Sequence, residues 1–259
     1  MNARESTLRI GLVYPEILGT YGDRGNALII AQRAQRRGIA AEIIEIDARE
    51  PISSGLDFYL LGGGEDDSQH IAARSLQESR SALIEAHNAG AAIVAVCAGF
   101  QLLGHSYEAA DGSLLEGIGL IDMITRAGAN RSIGEVVIEA EPSPNWGTAG
   151  PPSLITGFEN HGGRTQLGQG VVPLGQVKVG TGNGNGSDGV LGERLLGTYL
   201  HGPVLARNPE LADRVLSWVV GPLEEIDDSL ERSLHDECLS RGSAQGVKRW
   251  WQNRMLARG

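Results

Sequence analysis

The stretch Ala91-Ala92-Ile93-Val94-Ala95-Val96-Cys97-Ala98-Gly99-Phe100-Gln101-Leu102-Leu103-Gly104 decides the fold. Its first six residues are small or β-branched and apolar throughout, the pattern of a strand buried on both faces. Residues 98–104 read as the opening of a helix, and Cys97 stands between. The order strand, cysteine, small residue, glycine, helix describes a sharp turn. Such a turn needs small neighbours, because the residue at its apex is strained and lifted out. A helix start also favours a thiolate over a thiol. Alone, a cysteine behind an apolar run is more often a buried structural residue, so this segment needs company before it carries chemistry.

Working outward, the first half alternates short apolar runs with amphipathic segments. Residues 8–14, 41–46 and 57–61 read as strands; residues 26–37, ended by Gly38, and 75–88, ended by Gly90, read as helices. Apolar strands separated by helices of about three turns indicate a parallel sheet covered on both faces. The second half differs: residues 117–126, 134–140, 171–179 and 195–200 look like strands without intervening helices, expected as an antiparallel or mixed addition to that sheet. Residues 180–189, Gly-Thr-Gly-Asn-Gly-Asn-Gly-Ser-Asp-Gly, lack the lysine and the helix of a phosphate loop, and their Asn-Gly pairs predict a mobile hairpin. Helices follow over 209–220, 223–240 and 244–257. The expected fold is α/β: an open, mostly parallel, flavodoxin-like sheet with helices on both faces, added antiparallel strands and a C-terminal helical tail. The expected division is a domain over 1–221 and a helical extension of it over 222–259.

Composition narrows the function classes. The 259 residues carry 22 basic and 32 acidic side chains, a net charge of -10, which disfavours a nucleic-acid partner. Hydrophobic content of 41% and charged content of 21% are ordinary globular values. Two cysteines, Cys97 and Cys238, cannot form a disulfide scaffold. The start at residues 1–7 has mixed charge, and the apolar run 10–14 is too short for a signal peptide. The most apolar stretch, 89–103, is interrupted by Gln101 and falls short of the ~18–20 residues that span a bilayer. A soluble cytoplasmic protein without membrane insertion is expected. The six histidines (70, 87, 105, 161, 201 and 235) show no paired ligand spacing, so no metal is expected.

Two features give Cys97 company. Leu61-Gly62-Gly63-Gly64-Glu65-Asp66 places bare backbone at the C-terminal end of a central strand, where open α/β sheets bind ligands. With the amide of Ala98, that of Gly64 would make an oxyanion hole. Gly197-Thr198-Tyr199-Leu200-His201-Gly202-Pro203 ends a strand in a histidine at a glycine turn, at the same sheet edge. A thiolate and an imidazole are the minimum apparatus for acyl transfer through a thioester.

These segments together resemble the class I glutamine amidotransferases, and more closely their cobyric-acid-synthase-like branch. Within the branch, Tyr14-Pro15, Thr20-Tyr21-Gly22-Asp23-Arg24-Gly25-Asn26 and Asn130-Arg131-Ser132-Ile133-Gly134 are similar to the GatD subfamily, glutaminase subunits of lipid II isoglutaminyl synthases. The resemblance spans residues 8–221. It implies that Cys97 attacks the side-chain amide of L-glutamine, that His201 moves the protons, and that Arg131 contacts the substrate. An arginine fork suits a carboxylate. It further implies an obligate MurT-like, Mur-ligase-type partner that would amidate D-glutamate of the lipid II stem peptide. No Gly-x-x-x-x-Gly-Lys-[Ser/Thr] stretch is present, so ATP and magnesium are expected on the partner and no cofactor in this chain.

One departure stands out. Triad-type relatives carry an acid two residues after the histidine, and here that position is Pro203. A dyad, an acid from elsewhere in the chain, or one from the partner are the alternatives. Glu159, Asn160 and His161 are expected only to line the cleft. The isolated chain is expected to be a weak glutaminase that its partner activates. Competing readings are a different cysteine hydrolase on the same sheet, a non-enzymatic subunit that has kept the fold, and a corrinoid-type acceptor. The tail, with Arg249, Trp250, Trp251, Arg254 and Arg258, is either a partner surface or a helix packed on its own domain.

Overall fold

The computed structural model describes residues 7–19, 22–109 and 111–256, with side chains throughout except at 66–67, 149 and from 243 onward. Thr20, Tyr21 and the tail side chains of Arg249, Trp250, Trp251, Arg254 and Arg258 therefore lie outside the described residues.

The chain first builds β1 (Leu8–Val13), α1 (Gly25–Gln35), β2 (Ala41–Ile46), β3 (Phe58–Leu61), α2 (Asp66–Glu78), α3 (Arg80–Asn88), β4 (Ala92–Val96) and α4 (Ala98–Leu102). There follow β5 (Ser106–Glu108), β6 (Leu114–Glu116), β7 (Met123–Ala140), a 3₁₀ turn (Pro144–Ala149), β8 (Leu154–Leu167), β9 (Gly175–Val179), β10 (Ser187–Asp188), β11 (Val190–Gly192) and β12 (Leu195–Thr198). Three helices close it: α5 (Val204–Arg207), α6 (Pro209–Val220) and α7 (Ser229–Leu256).

The first sheet has the order β11-β12-β4-β3-β1-β2, parallel except for β11. Every residue of β3, β4 and β12 is buried. Successive strand side chains point to opposite faces, so both faces of this sheet are covered, as the unbroken apolar runs require. The later strands do not simply extend it. Only β11 joins it; β5, β6, β7, β8, β9 and β10 form a second sheet around the long β7–β8 pair. The expected addition to one sheet is thus corrected to a separate, mixed sheet. Strand β8 buries Thr156, Glu159, His161 and Thr165, so it carries no apolar alternation from which its place could be read.

Helix α1 buries Ala27, Ile30, Ala31 and Ala34, spaced for one helical face, and leaves Leu28 exposed. The helix predicted over 75–88 is two helices, α2 and α3, meeting at Ser79. The tail predicted as two helices is one, α7. It is anchored where it begins. Arg33 of α1, almost fully buried, donates to Asp213 of α6 (2.7 Å) and to Asp228 just before α7 (2.6 and 3.0 Å). Farther on, His235 Nδ1 bonds the Arg207 carbonyl at 2.9 Å, and α7 packs against β7, β8 and β9.

Parallel strands place their C-terminal ends at one edge. In the order β12, β4, β3, β1 those ends lead to His201, to Cys97, to Gly62-Gly63-Gly64 and to the loop holding Asp23.

Candidate active site

Cys97 sits at φ 51° and ψ -107°, outside the regions comfortable for a side-chain-bearing residue. The strain belongs to the turn predicted for it, between β4 and the short helix α4. Its amide donates to the Thr198 carbonyl of the neighbouring strand at 2.8 Å, which fixes the turn to β12. Three residues on from Thr198, His201 is held by two backbone bonds to Phe158 of β8, 2.8 and 3.0 Å.

The third polar group is Asp23. Its Oδ2 accepts from His201 Nδ1 at 2.9 Å and from the Gly63 amide at 2.8 Å. A carboxylate can only accept, so Nδ1 carries its proton and Nε2 is turned to the thiol side. Asp23 and His201 are both nearly inaccessible to solvent. Burial alone would lower the imidazole's basicity, but hydrogen bonds to Asp23 and Cys97, with their charges, outweigh it and push the His201 pKa up to about 10.

Gly63 explains how the groups meet. A Cβ there would lie 2.6 Å from His201 Cε1, 3.2 Å from Asp23 Oδ2 and 3.4 Å from Cys97 Cβ. Carboxylate, imidazole and thiol thus converge over one glycine with no room for a methyl group. The stretch around Asp23 is built to reach them. A Cβ on Gly25 would fall 2.3 Å from the Pro203 ring, and Asn26 Oδ1 accepts the Leu205 amide at 3.0 Å. Pro203 stands two residues after the histidine, and the acid beside His201 comes from Asp23 instead. Pro203 docks the histidine loop against the loop that delivers the acid. An acid within reach of the imidazole thus lies in this chain, on the β1 side. The signal was present in the sequence as a short acid between glycines after the first strand of a parallel sheet.

Cys97, Gly64 and Arg131 line one narrow cleft with Gln101, Asn160 and His161. Ala98, next in sequence to Cys97, is buried as the first residue of α4. Arg131 lies where the β7–β8 register shifts between Ala127 and Ser132, and the bulge turns it over the cleft. There its Nε donates to Asn160 Oδ1 at 2.5 Å and its second nitrogen to the Asn160 carbonyl at 3.3 Å. His161 is a residue that sequence reasoning left as mere lining. It is buried, stacked on Tyr199 with centroids 3.8 Å apart, and paired with Glu159 at 3.3 Å. Glu159 in turn accepts the amides of Thr181 and Gly182, and these bonds, with His161, hold its carboxyl below the usual range despite burial. The glycine-rich segment 180–189 is therefore packed under the cleft: Asn183, Ser187 and Asp188 are buried. It makes the expected hairpin, between β9 and β10, but as a built part of the site.

A thiol, an imidazole and a carboxylate in hydrogen-bonded sequence, beside an arginine, can carry out nucleophilic acyl transfer on an anionic substrate. Among the described residues no group of three or more His, Cys, Asp or Glu could hold a metal ion, and no helix is long and apolar enough to cross a membrane.

Comparison with known proteins agrees with this geometry. The chain belongs to the CobB/CobQ-like glutamine amidotransferase domain family, which it matches over residues 9–209. Solved structures share the fold: a glutamine amidotransferase at 18% identity (TM-score 0.55, 82% of this chain and 99% of that one) and PurLQS from Thermotoga maritima at 19% (TM-score 0.55, 83% and 98%). Among its relatives by sequence is the lipid II isoglutaminyl synthase (glutamine-hydrolyzing) subunit GatD. The Staphylococcus aureus protein is 37% identical over 90% of this chain and 95% of its own length; that of Streptococcus pneumoniae is 34% identical over 92% and 89%. A probable cobyric acid synthase of Methanosphaerula palustris is 29% identical over 64% of this chain and 32% of its own length.

Proposed function

We propose that this chain is the glutaminase subunit of a lipid II isoglutaminyl synthase, hydrolysing L-glutamine to glutamate and ammonia through a thioester on Cys97. The observation that carries the reading is the buried Asp23–His201 bond at 2.9 Å, set beside Cys97. Cys97 Sγ attacks the side-chain amide carbon with its proton already held by His201, whose raised pKa keeps the imidazole protonated at neutral pH. The amides of Gly64 and Ala98 hold the oxyanion; that of Gly63 is already given to Asp23. His201 then protonates the departing ammonia, leaving the thioester, and afterwards activates water, which releases glutamate and restores the thiol. Asp23 fixes the tautomer and stabilises the imidazolium. Arg131 exchanges Asn160 for the substrate carboxylate, which gives specificity for an α-amino acid.

The ammonia passes to a MurT-like, Mur-ligase-type partner, which supplies ATP and magnesium and amidates the D-glutamate α-carboxyl of the lipid II stem peptide to D-isoglutamine. The relatives named as such subunits match this chain nearly end to end, whereas the cobyric acid synthase matches with about a third of its length. The protein works in the cytoplasm, and residues 222–259 are a helical extension of the amidotransferase domain.

Glutamate release measured with and without the ligase subunit tests this. Cys97→Ala is expected to abolish it, and Asp23→Asn to lower kcat by roughly a hundredfold to ten-thousandfold. Arg131→Ala is expected to raise KM with little change in kcat. Unchanged release in Cys97→Ala would sink the reading, and equal activity with and without the ligase would refute control by the partner.

A further inference from the structure

The chemistry proposed for Cys97 and His201 leaves Asp188 without a role, although it is the only acid in residues 180–189 and is fully buried. Its Oδ2 accepts the Thr198 hydroxyl at 2.6 Å, and its Oδ1 accepts the Tyr199 amide at 3.4 Å. Thr198, the last residue of β12, is bonded on two further sides. Its Oγ1 accepts the Leu200 amide at 3.1 Å, and its carbonyl accepts the Cys97 amide at 2.8 Å. One carboxyl group therefore reaches, through one threonine, the turn that bears the thiol and the bend that leads to the imidazole.

Asp188 is itself held firmly. Asn183 bonds the Gly189 carbonyl and amide, both at 3.0 Å, and the Asp188 carbonyl accepts the Leu174 amide at 2.9 Å. Burying an acid is costly, and an apolar residue of similar volume would join two strands more cheaply. What the carboxyl adds is direction: it fixes the hydroxyl rotor of Thr198 and, with it, the peptide at the end of β12.

We propose that Asp188 is a positioning residue for the reacting pair, acting through Thr198 to set the peptide from which the Cys97 turn hangs and the bend that delivers His201. The inference rests on the assignment of Cys97 and His201 as that pair. It gives the glycine-rich segment a purpose, since its tight turns are what bring this acid beneath the site.

The test uses the full chain in a Cys238→Ala background and compares Asp188→Leu, Asp188→Asn and Thr198→Val. One readout is the rate of Cys97 alkylation by iodoacetamide, which needs no glutamine; the other is kcat and KM for glutamine with the ligase subunit present. Asp188→Leu and Thr198→Val are each expected to lower alkylation rate and kcat on the order of tenfold, with KM nearly unchanged because the Arg131 end is untouched. Asp188→Asn keeps the oxygen that receives the threonine hydroxyl and is expected to stay within about threefold of the parent. The double variant should lose less than the two single losses combined, since both variants break the Asp188–Thr198 bond. Parent rates in Asp188→Leu and Thr198→Val, or losses that add in the double variant, would overturn the proposal. Should Asp188→Leu not fold, Thr198→Val is read beside Asp188→Asn and Thr198→Ser, which keep the carboxyl-side oxygen and the hydroxyl and are expected near the parent rate; a tenfold loss in either would overturn the proposal. A parent chain that hydrolyses no glutamine but shows the alkylation pattern would refute the proposed activity and leave the positioning role standing.

Discussion

At the residue scale, His201 has the largest consequence. Its pKa near 10 means that the folded chain keeps a proton that an unfolded histidine, with an ordinary value near 6.5, gives up. The stabilisation is fully present below the unfolded value and fades as pH rises from about 6.5 towards 10. Thermal unfolding followed across that range should show the parent losing stability with pH more steeply than His201→Gln. Equal slopes would contradict the Asp23–His201–Cys97 coupling. Cys97 shows the opposite relation to the sequence: its turn was legible from the small residues around it, and its positive φ confirms the geometry.

At the scale of elements, the glycine run after β3 and the loop after β1 work as a pair. The first supplies the space and the second the acid. Gly63→Ala is therefore expected to push His201 away from Asp23. The cost would be about 1–3 kcal/mol of stability, with a loss of kcat larger than that of Gly55→Ala, whose added Cβ meets only ordinary contacts at 3.7 and 4.0 Å. Urea unfolding and steady-state kinetics on both variants provide the check. Strands β1, β3, β4 and β12 were readable as apolar runs because burial on both faces leaves no polar alternation to misread. The second sheet was readable only in part. The long β7 was broken in two by its polar middle, and that same irregular stretch carries Arg131 over the cleft.

At the scale of the whole molecule, three elements distant in sequence are joined by Arg33. Its guanidinium lies between Asp213 and Asp228, which fixes the start of the tail to the body. Removing the cation leaves carboxylates of a largely buried cluster without it. Arg33→Met is accordingly expected to destabilise the protein by about 3–5 kcal/mol. Glutaminase kcat should be little changed at temperatures where the variant is still folded, because the cluster lies away from the cleft. A kcat loss matching that of Asp23→Asn would show instead that the tail reaches the site. Nothing in the spacing of Arg33, Asp213 and Asp228 announced this cluster, since charged residues on a helix are ordinarily solvated.

The sequence by itself determined the parallel sheet, the strained turn at Cys97, the histidine at a strand end and the resemblance that joins them. Each is written in neighbouring residues, where periodicity, small side chains and turn chemistry act over a few positions. The tertiary structure alone decided that Asp23, 178 residues from His201, completes the set, and that a glycine-rich hairpin belongs beneath it. Those contacts follow from strand order: β12, β4, β3 and β1 lie side by side, so residues far apart in the chain emerge at one edge. Local pattern carries no record of which strands are neighbours, and the acid that Pro203 replaced could be found only once they were.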